Sequence, residues 1–384
     1  MNPDDFKTQS TGRVVSHPTG YCAFVPAPPP IDITLDRALG LALSRADAAL
    51  GELSGLGCQL PNPHLLIAPL VRREAVLSSR IEGTRASISD VLLDEAGTPD
   101  PSQSAIPDVQ EVRNYVGALE HGIARLPELP LSLRLVREIH EKLMQGVRGK
   151  NATPGEFRRS QNWIGPAGST PTTAPYVPPP VEDLPEVLGA WEKYLHVRDT
   201  LPDLVQCAIM HEHFEAIHPF LDGNGRVGRL MITLFLIERG RLSQPLLYLS
   251  DFIERHRSDY YDLLQRIRTH GDYAAWLRYF FAGVEETARD AIARARNLIA
   301  LREEYLHAIK SPNATGLADA LLSNPYVTIA SAARALDVTQ PTATKVIRQL
   351  VASGHLRQVT RGNWGKTYLA PAILEAVNLE RAVP

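Results

Sequence analysis

Apolar residues recur at spacings of three and four along most of the chain, which is the pattern of amphipathic α-helices. Short stretches rich in proline, glycine and polar residues separate these segments and predict loops. The predicted helices cover residues 34–53, 64–93, 108–126, 131–144, 181–196, 204–217, 226–239, 250–268 and 273–306. The fold class is therefore predicted to be mainly α.

One predicted helix, 226–239, is apolar on nearly every side. A helix of this kind is normally buried at the centre of a domain. Its most apolar run, 230–237, is far too short to cross a bilayer, which needs about 20 residues. We expect this helix to form the middle of the core.

Three stretches interrupt the helical pattern. Segment 157–180 carries eight prolines or glycines after Trp163, which predicts a short β-hairpin or an ordered flap. The proline-rich run 26–30 separates a short polar arm from the first helix, and 97–107 is predicted to be a loop.

The C-terminal part changes character after a predicted linker at 311–315. Short helices at 317–323 and 329–336, a longer one at 340–353 and a hairpin at 356–369 follow in that order. The hairpin is predicted to turn at Arg361-Gly362-Asn363. This order is typical of a winged helix-turn-helix.

The exposed side of the predicted recognition helix would carry Gln340, Thr342, Thr344, Lys345 and Arg348. Residues 317–371 contain six basic and two acidic residues, a local excess of +4 that permits phosphate contacts. Winged helices also serve as docking or dimerising modules. DNA and a second copy of the chain are therefore both candidate partners.

Composition is that of an ordinary globular protein, with 44% hydrophobic and 22% charged residues. The net charge of −3 gives no information about a general affinity for nucleic acids or membranes. The first ten residues are polar and acidic, unlike a secretory signal. Cys22, Cys58 and Cys207 are scattered, which favours a reducing compartment, so we expect a cytoplasmic protein without a membrane partner.

The chemistry-bearing segment reads His218-Pro219-Phe220-Leu221-Asp222-Gly223-Asn224-Gly225-Arg226-Val227-Gly228-Arg229. Gly223 and Gly225 free the backbone to direct N–H groups toward one point at the start of a helix. The unpaired donors and the helix dipole favour an anion there. Arg226 and Arg229 are three residues apart on that helix, so both guanidiniums can reach a polyphosphate.

Two further side chains complete this arrangement. Asp222 can supply an oxygen ligand to Mg²⁺ that bridges phosphates. His218 can take the proton from an attacking hydroxyl, while Pro219 and Phe220 are expected to anchor the loop. A glycine-rich turn that merely caps a buried helix would not need a base, a metal ligand and two cations within twelve residues.

This segment resembles the signature of the Fic family, His-Pro-Phe-x-Asp-Gly-Asn-Gly-Arg-x-x-Arg, and matches it at every specified position. The resemblance extends over 68–283 and includes Gly155-Glu156-Phe157-Arg158. It implies a Fic helical bundle with a short β-hairpin flap. It also implies transfer of AMP from ATP to a Ser, Thr or Tyr hydroxyl of a protein, with Mg²⁺ as cofactor.

By the same resemblance, His218 is the general base and Asp222 holds Mg²⁺. Asn224 and the glycine amides bind the α-phosphate region, while Arg226 clamps the β-phosphate and Arg229 the γ-phosphate. The expected ATP-binding set is Gly223, Asn224, Gly225, Arg226, Val227, Gly228, Arg229 and Tyr261.

Two contacts beyond the signature are also expected. The flap, about 162–176, is expected to align the target chain by strand-like pairing. Tyr260 or Tyr261 is expected to contact the adenine, with simple core packing as the alternative for either.

Residues Ser78-Ser79-Arg80-Ile81-Glu82-Gly83 resemble the inhibitory pattern of the same family, Ser/Thr-x-x-x-Glu-Gly/Asn. On a helix Ser78 and Glu82 lie one above the other, and Gly83 allows the helix to end after the carboxylate. The resemblance implies that Glu82 pairs with Arg229 in the place of the γ-phosphate and so misaligns the α-phosphate of ATP. The alternative is a solvated helix carboxylate.

We therefore expect four parts: an N-terminal arm and helices with the inhibitory motif (1–115), a catalytic core (116–285), a connecting helix and linker (286–315), and a winged helix-turn-helix-like domain (316–384). The leading hypothesis is an adenylyltransferase that Glu82 inhibits and that also modifies itself. A second is removal of AMP from a protein by the same site, with Glu82 activating water. A third is a DNA-binding regulator whose core senses nucleotide.

Overall fold

The computed structural model describes residues 1–59, 64–97, 106–146, 153–360 and 366–378. Its helices are α1 (Arg37–Gln59), α2 (His64–Ile81), α3 (Ile88–Glu95), α4 (Ile106–Arg125), α5 (Leu133–Leu143), α6 (Leu184–Leu195), α7 (Asp203–Ile217), α8 (Asn224–Glu238), α9 (Ser250–Arg255), α10 (Arg257–His270), α11 (Tyr273–Ala308), α12 (Ala314–Ser323), α13 (Ile329–Leu336), α14 (Gln340–Ala352) and α15 (Pro371–Asn378). Its strands are β1 (Gly12–Ser16), β2 (Cys22–Pro26), β3 (Tyr326–Thr328), β4 (Arg357–Gln358) and β5 (Thr367–Leu369). The prediction of a mainly α fold is confirmed.

Helices α7 and α8 form the centre of the bundle. Every residue of α7 after Asp203 is buried, and so are the residues of α8 from Arg226 to Leu236. The two helices pack on each other, and α4, α5 and α11 pack around them. The expectation that 226–239 forms the middle of the core is confirmed, because its apolar residues point in every direction.

Two predicted helices are each divided in the structure. The predicted helix 64–93 ends at Ile81, because Gly83 has a φ of +100° that a helix cannot contain. Ser87 then starts α3 with a capping box to Asp90. The predicted helix 250–268 breaks at His256, between α9 and α10.

The N-terminal arm was predicted to be merely polar, and this is wrong in part. Strands β1 and β2 pair antiparallel from Gly12 opposite Pro26 to Ser16 opposite Cys22. Phe24 N donates to Val177 O at 2.9 Å, so this hairpin supports the proline-rich segment that precedes α6.

In the C-terminal part, α12, β3, α13, α14, β4 and β5 follow in that order, and the strands form an antiparallel sheet ordered β3-β5-β4. Helix α12 packs on α2 and α11, and α15 returns to α11. The winged helix-turn-helix remains a prediction. Its turn at 361–363 and most of the predicted loop 97–107 lie outside the described residues.

Within the described ranges, no helix combines the length and the apolarity needed to cross a membrane.

Candidate active site

The candidate site begins with the loop that joins α7 to α8. His218 follows α7 in the left-handed conformation, with φ of 48°. Gly223 precedes α8 with φ of 80°, and a Cβ there would lie 2.9 Å from Met144 Sδ. The positive φ favours glycine at this position, so the sequence pattern reflects a tight turn before the helix.

Buried side chains hold this loop from inside. The Asn224 amide accepts from Phe220 N and donates to Phe220 O, both at 2.8 Å. Asn162 Nδ2 donates to the carbonyls of His218 and Phe220 at 3.0 and 2.8 Å. Arg158 Nε donates to His218 O at 3.0 Å. Three side chains thus hold the loop backbone: Asn224 at the end of the loop itself, and Asn162 and Arg158 from an earlier segment of the chain.

These contacts change the expectation for Asn224. Its side chain was predicted to bind the α-phosphate region, but it is 2% exposed and its amide closes the loop. A phosphate would therefore meet the backbone N–H groups at the start of α8, and Asn224 would act by shaping them.

His140, which the sequence reasoning missed, supports the same loop. Its ring stacks on Phe220 with centroids 3.7 Å apart. Nδ1 accepts from Gly155 N at 2.9 Å, so Nε2 carries the proton and donates to Asp222 O at 3.1 Å. Burial lowers the pKa of His140 to about 4, which keeps the ring neutral. No local sequence pattern could indicate a partner 82 residues away.

The ring of His218 lies in a cationic and largely dry environment. Burial lowers its pKa to about 3, and the Arg158 and Arg268 guanidiniums push it in the same direction. The nearest carboxylate on its own helix is Glu215, whose Oε2 lies 3.8 Å from Nδ1. The ring is therefore neutral at pH 7 and can accept a proton.

Arg229 is paired with the N-terminal helices. Its side chain is buried; Nε donates to Ser78 Oγ at 2.8 Å, and Nη2 donates to Ser78 O at 2.9 Å and to Glu82 Oε1 at 2.7 Å. Burial alone would raise the pKa of Glu82, but the guanidinium outweighs it and holds that pKa below its usual value. The predicted Glu82–Arg229 pair is therefore present in the geometry.

The Glu82 carboxylate also covers the start of α8. A Cβ built on Gly225 would lie 2.3 Å from Glu82 Oε1. Glycine at this position leaves the space that the carboxylate occupies, beside N–H groups that have no partner within the helix. An anionic side chain thus lies at the start of α8, where the sequence predicts an anion site.

Arg226 lies on the same turn and is 4% exposed. Its Nη1 lies 3.4 Å from Glu111 Oε2, and its Nη2 lies 3.5 Å from Asp222 Oδ1 and 3.7 Å from Met144 Sδ. The sequence reasoning did not single out Glu111, because nothing in the composition of α4 distinguishes it from a solvated helix residue.

Val227 and Gly228 do not face the loop. Val227 is fully buried in the core. A Cβ on Gly228 would lie 2.6 Å from Glu215 Oε1 and 3.3 Å from the His211 ring, so this glycine permits α7 to approach α8. We therefore remove Val227 and Gly228 from the predicted ATP-binding set, because both are used in packing.

Asp222 is half exposed at the mouth of the loop, and its Oδ1 accepts from Gly223 N at 2.6 Å. Across the described ranges, no group of three or more His, Cys, Asp or Glu side chains is arranged to hold a metal. Mg²⁺ often takes only one or two carboxylates and completes its shell with substrate phosphates and water. A single exposed carboxylate beside an anion site fits that mode of binding.

The two tyrosines of α10 differ in position. Tyr260 is buried and its hydroxyl contacts His211 Nε2 at 2.9 Å, so the packing alternative describes it. Tyr261 is 42% exposed and lies edge-on to Tyr260, with ring centroids 5.2 Å apart. Of the two, only Tyr261 offers an exposed ring to a base.

The flap segment is short and open. Ile164 and Tyr176 exchange two backbone hydrogen bonds, of 2.9 and 3.3 Å, and form an isolated bridge. Trp163 beside it is 41% exposed. Tyr176 is anchored to α7, since its hydroxyl donates to Ala216 O at 2.7 Å. The segment therefore stands beside His218 with its base fixed.

Comparison with known proteins agrees with this geometry. Residues 41–124 match the Fic/DOC family N-terminal model, and residues 130–236 match the Fic/DOC family model. A protein adenylyltransferase Fic from Aedes aegypti is 30% identical over 159 residues, which is 41% of this chain and 28% of that protein. A probable protein adenylyltransferase from Aquifex aeolicus is 29% identical over 174 residues, which is 45% of this chain and 50% of that protein. The matched part thus spans half or less of these curated relatives.

Solved structures share the fold at lower identity. A Fic family protein from Desulfovibrio desulfuricans G20 superimposes with a TM-score of 0.59 at 20% identity, over 90% of this chain and 98% of that one. Fic-1 from C. elegans superimposes with a TM-score of 0.54 at 21% identity, over 67% of this chain and 74% of that one. Residues 41–124 and 130–236 match in tandem, so the chain contains a Fic/DOC family N-terminal domain and a Fic/DOC family domain.

Proposed function

We propose that this protein is an adenylyltransferase that moves AMP from ATP to a Ser, Thr or Tyr hydroxyl of target proteins and of itself, and that Glu82 inhibits it. The observation that carries the proposal is one constellation at the start of α8. A neutral, partly buried His218, backbone N–H groups and two buried arginines meet there within a family whose curated relatives are named protein adenylyltransferases.

The reaction follows from these groups. The acceptor oxygen attacks the α-phosphorus, the bond from that phosphorus to the bridging oxygen of the β-phosphate breaks, and pyrophosphate leaves. The acceptor proton passes to the ring of His218. Bound phosphates would raise the pKa of that ring from about 3, because a nearby anion favours imidazolium over neutral imidazole.

Charge on the departing pyrophosphate is met by cations on α8. Arg226 and Arg229 lie on adjacent turns of the helix and would contact the β- and γ-phosphates, as bidentate guanidiniums commonly do. Asp222 and the phosphates would hold Mg²⁺, which stabilises the negative charge rearranged in transfer.

Inhibition follows from the place that Glu82 takes. Its carboxylate contacts Arg229 at 2.7 Å and lies over Gly225, so the γ-phosphate and the carboxylate compete for one cation. ATP that binds without Arg229 would present its α-phosphate poorly to the acceptor. We also propose a cytoplasmic location, which the three unbridged cysteines support.

The test is intact-mass and peptide analysis of the full chain incubated with ATP and Mg²⁺. We expect AMP on the Glu82→Gly protein, on proteins of a treated lysate, and much less on wild type, with Glu82→Gly/His218→Ala as the unmodified control. Folded Glu82→Gly protein that transfers no nucleotide contradicts the proposal. Loss of AMP from a pre-modified protein would instead support the reverse reaction.

A second candidate function concerns the C-terminal part. Gln340, Thr342, Lys345 and Arg348 are exposed on α14, and neither of the two basic side chains pairs with an acid among the described residues. This face supports contact with DNA phosphates. Gel retardation that is weakened in a Lys345→Ala/Arg348→Ala protein, with AMP transfer unchanged, would establish it; binding that this pair does not alter would exclude α14.

A further inference from the structure

Glu111 connects α4 with α8 and with the segment that follows α2, and it has no role in the reaction above. It lies on α4, and its side chain is 17% exposed. Its Oε2 lies 3.4 Å from Arg226 Nη1 and accepts a hydrogen bond of 2.8 Å from Thr84 Oγ1. Thr84 follows Glu82 by two residues, so one carboxylate oxygen contacts both the catalytic helix and the inhibitory segment.

The charges around α8 are paired in a regular way. Arg229 contacts the Glu82 carboxylate at 2.7 Å, and Arg226 lies 3.4 Å from the Glu111 carboxylate and 3.5 Å from that of Asp222 in the loop before α8. Glu82 follows the end of α2 and Glu111 lies on α4, while both arginines lie in the first turns of α8. A polyphosphate that engages both arginines must therefore compete with both carboxylates.

The Arg226–Glu111 pair is the weaker of the two. At 3.4 Å it is long for a charge-assisted hydrogen bond, which is normally 2.7–2.9 Å. Arg226 Nε is buried and forms no hydrogen bond with any residue that the structure describes. The guanidinium is thus only partly satisfied by protein groups, as expected of a group that exchanges a carboxylate for a phosphate.

We propose that Glu111 is a second inhibitory carboxylate, which occupies Arg226 in the absence of nucleotide and is displaced by the β-phosphate. Thr84 fixes the orientation of Glu111, so the contact with Arg226 depends on the turn that also carries Glu82. This inference rests on the proposed function, because it assigns the second phosphate of the nucleotide to Arg226.

A substitution of Glu111 should therefore affect only the binding of nucleotides with two or more phosphates. Loss of the Glu111 charge should strengthen the binding of ADP and ATP, which reach Arg226, and leave AMP unchanged. The expected change is about fivefold in Kd, the size of a partly exposed ion pair. If Glu111 instead orients Arg226 for the phosphate, the same substitutions would weaken the binding of ADP and ATP.

The experiment is calorimetric titration of AMP, ADP and ATP with Mg²⁺, using full-length His218→Ala protein so that no transfer occurs. Glu111→Gln and Glu111→Ala are compared with Glu120→Gln, which removes an exposed carboxylate from the same helix. Circular dichroism confirms that each variant is folded. The proposal is supported if only the Glu111 variants bind ADP and ATP more tightly while their Kd for AMP is unchanged.

Three results for the Glu111 variants would overturn it: unchanged Kd values for ADP and ATP, weaker binding of ADP and ATP, or an equal change in the Kd of AMP. These remain distinct from failure of the proposed function. If ATP binds to none of the variants, even when Glu82→Gly is added, the nucleotide site itself is wrong. If ATP binds and Glu111→Gln has no effect, only the role of Glu111 is rejected.

Discussion

At the scale of single residues, burial and the charged groups nearby determine the protonation states of the titratable side chains in the site. Burial lowers the pKa of His218, and the Arg158 and Arg268 guanidiniums act in the same direction, so its ring is neutral before substrate arrives. Glu215, on the same helix, is a buried carboxyl whose pKa burial raises to about 7. Under the proposed function, an anion that enters the site would offset the nearby cations and raise the pKa of the His218 ring, which would favour its action as a base.

His218→Ala should abolish AMP transfer and leave ATP binding nearly intact, since the base acts on the acceptor hydroxyl. Removal of a general base commonly costs about 10²–10⁴-fold in rate. The measurements are the transfer rate and the Kd of ATP, both in the Glu82→Gly background. Near-normal transfer by the His218→Ala protein would remove His218 from this role.

Asp222→Ala should lose the Mg²⁺ dependence of productive binding, because phosphates alone would hold the ion weakly. Asp222→Asn is the matched control, since it keeps the size and the hydrogen bond to Gly223 N but loses the charge. Titration of the transfer rate with Mg²⁺ measures the effect. Full activity and an unchanged Mg²⁺ requirement in both variants would show that the metal binds elsewhere.

At the scale of elements, α2 and the turn that follows it carry one stripe of polar residues, two of which contact Arg229. Glu74, Ser78 and Glu82 are four residues apart and so lie along one face. Ser78 and Glu82 contact Arg229, and Glu82 lies just beyond Ile81, where the helix ends. The carboxylate is thus presented from the end of a helix whose position the core determines.

Glu82→Gly should raise AMP transfer by about tenfold or more without any added partner. The nucleotide would no longer displace a charge-assisted contact, which is worth roughly 1.5–3 kcal/mol. Because Glu82 lies outside α2, glycine should cost the helix little. Rates for wild type, Glu82→Gly, Arg229→Ala and the double variant measure the effect.

Arg229→Ala should not activate, because it removes the partner of the inhibitory carboxylate and a phosphate ligand together. The double variant should resemble Arg229→Ala, as expected when two residues act through one contact. An unchanged or lower rate for folded Glu82→Gly protein would reject inhibition by Glu82.

At the scale of the whole molecule, α2 is held by helices from distant parts of the chain. It packs on α4, α9 and α12. Inside this junction, the Glu74 carboxyl accepts from Tyr115 of α4 at 3.1 Å and from Ser250 of α9. A buried carboxyl therefore joins three helices, and its protonation affects the stability of the fold.

Burial raises the pKa of Glu74 from 4.5 to about 7. The folded protein therefore holds this proton more tightly than the unfolded chain, and the resulting stability is lost as pH rises from 4.5 through 7. Glu74→Gln removes this dependence. Wild type should therefore lose stability relative to Glu74→Gln as the pH rises. The free energy of unfolding of Glu74→Gln minus that of wild type should increase by about 2 kcal/mol from pH 5 to pH 8.

Urea unfolding at both pH values measures this difference, with the exposed Glu120→Gln as control. A constant gap between wild type and Glu74→Gln across the pH range would mean that Glu74 is ionised in the folded protein.

The sequence by itself determined the mainly α fold, most helix positions, the turn before α8 and the residues of the loop. These depend on local causes: the helical spacing of apolar residues, and a glycine that must adopt a positive φ. The tertiary structure decided which distant groups meet there. The pairs Arg226–Glu111 and His140–Asp222 are separated by 115 and 82 residues, and the pair Arg229–Glu82, separated by 147, was indicated by the family resemblance and by no local pattern. Nor could the spacing show that Val227 is buried in the core, that Gly228 faces α7, that Asn224 closes its own loop, or that Tyr260 is buried. Burial and partners arise only when separate helices pack together, and no local pattern contains that information.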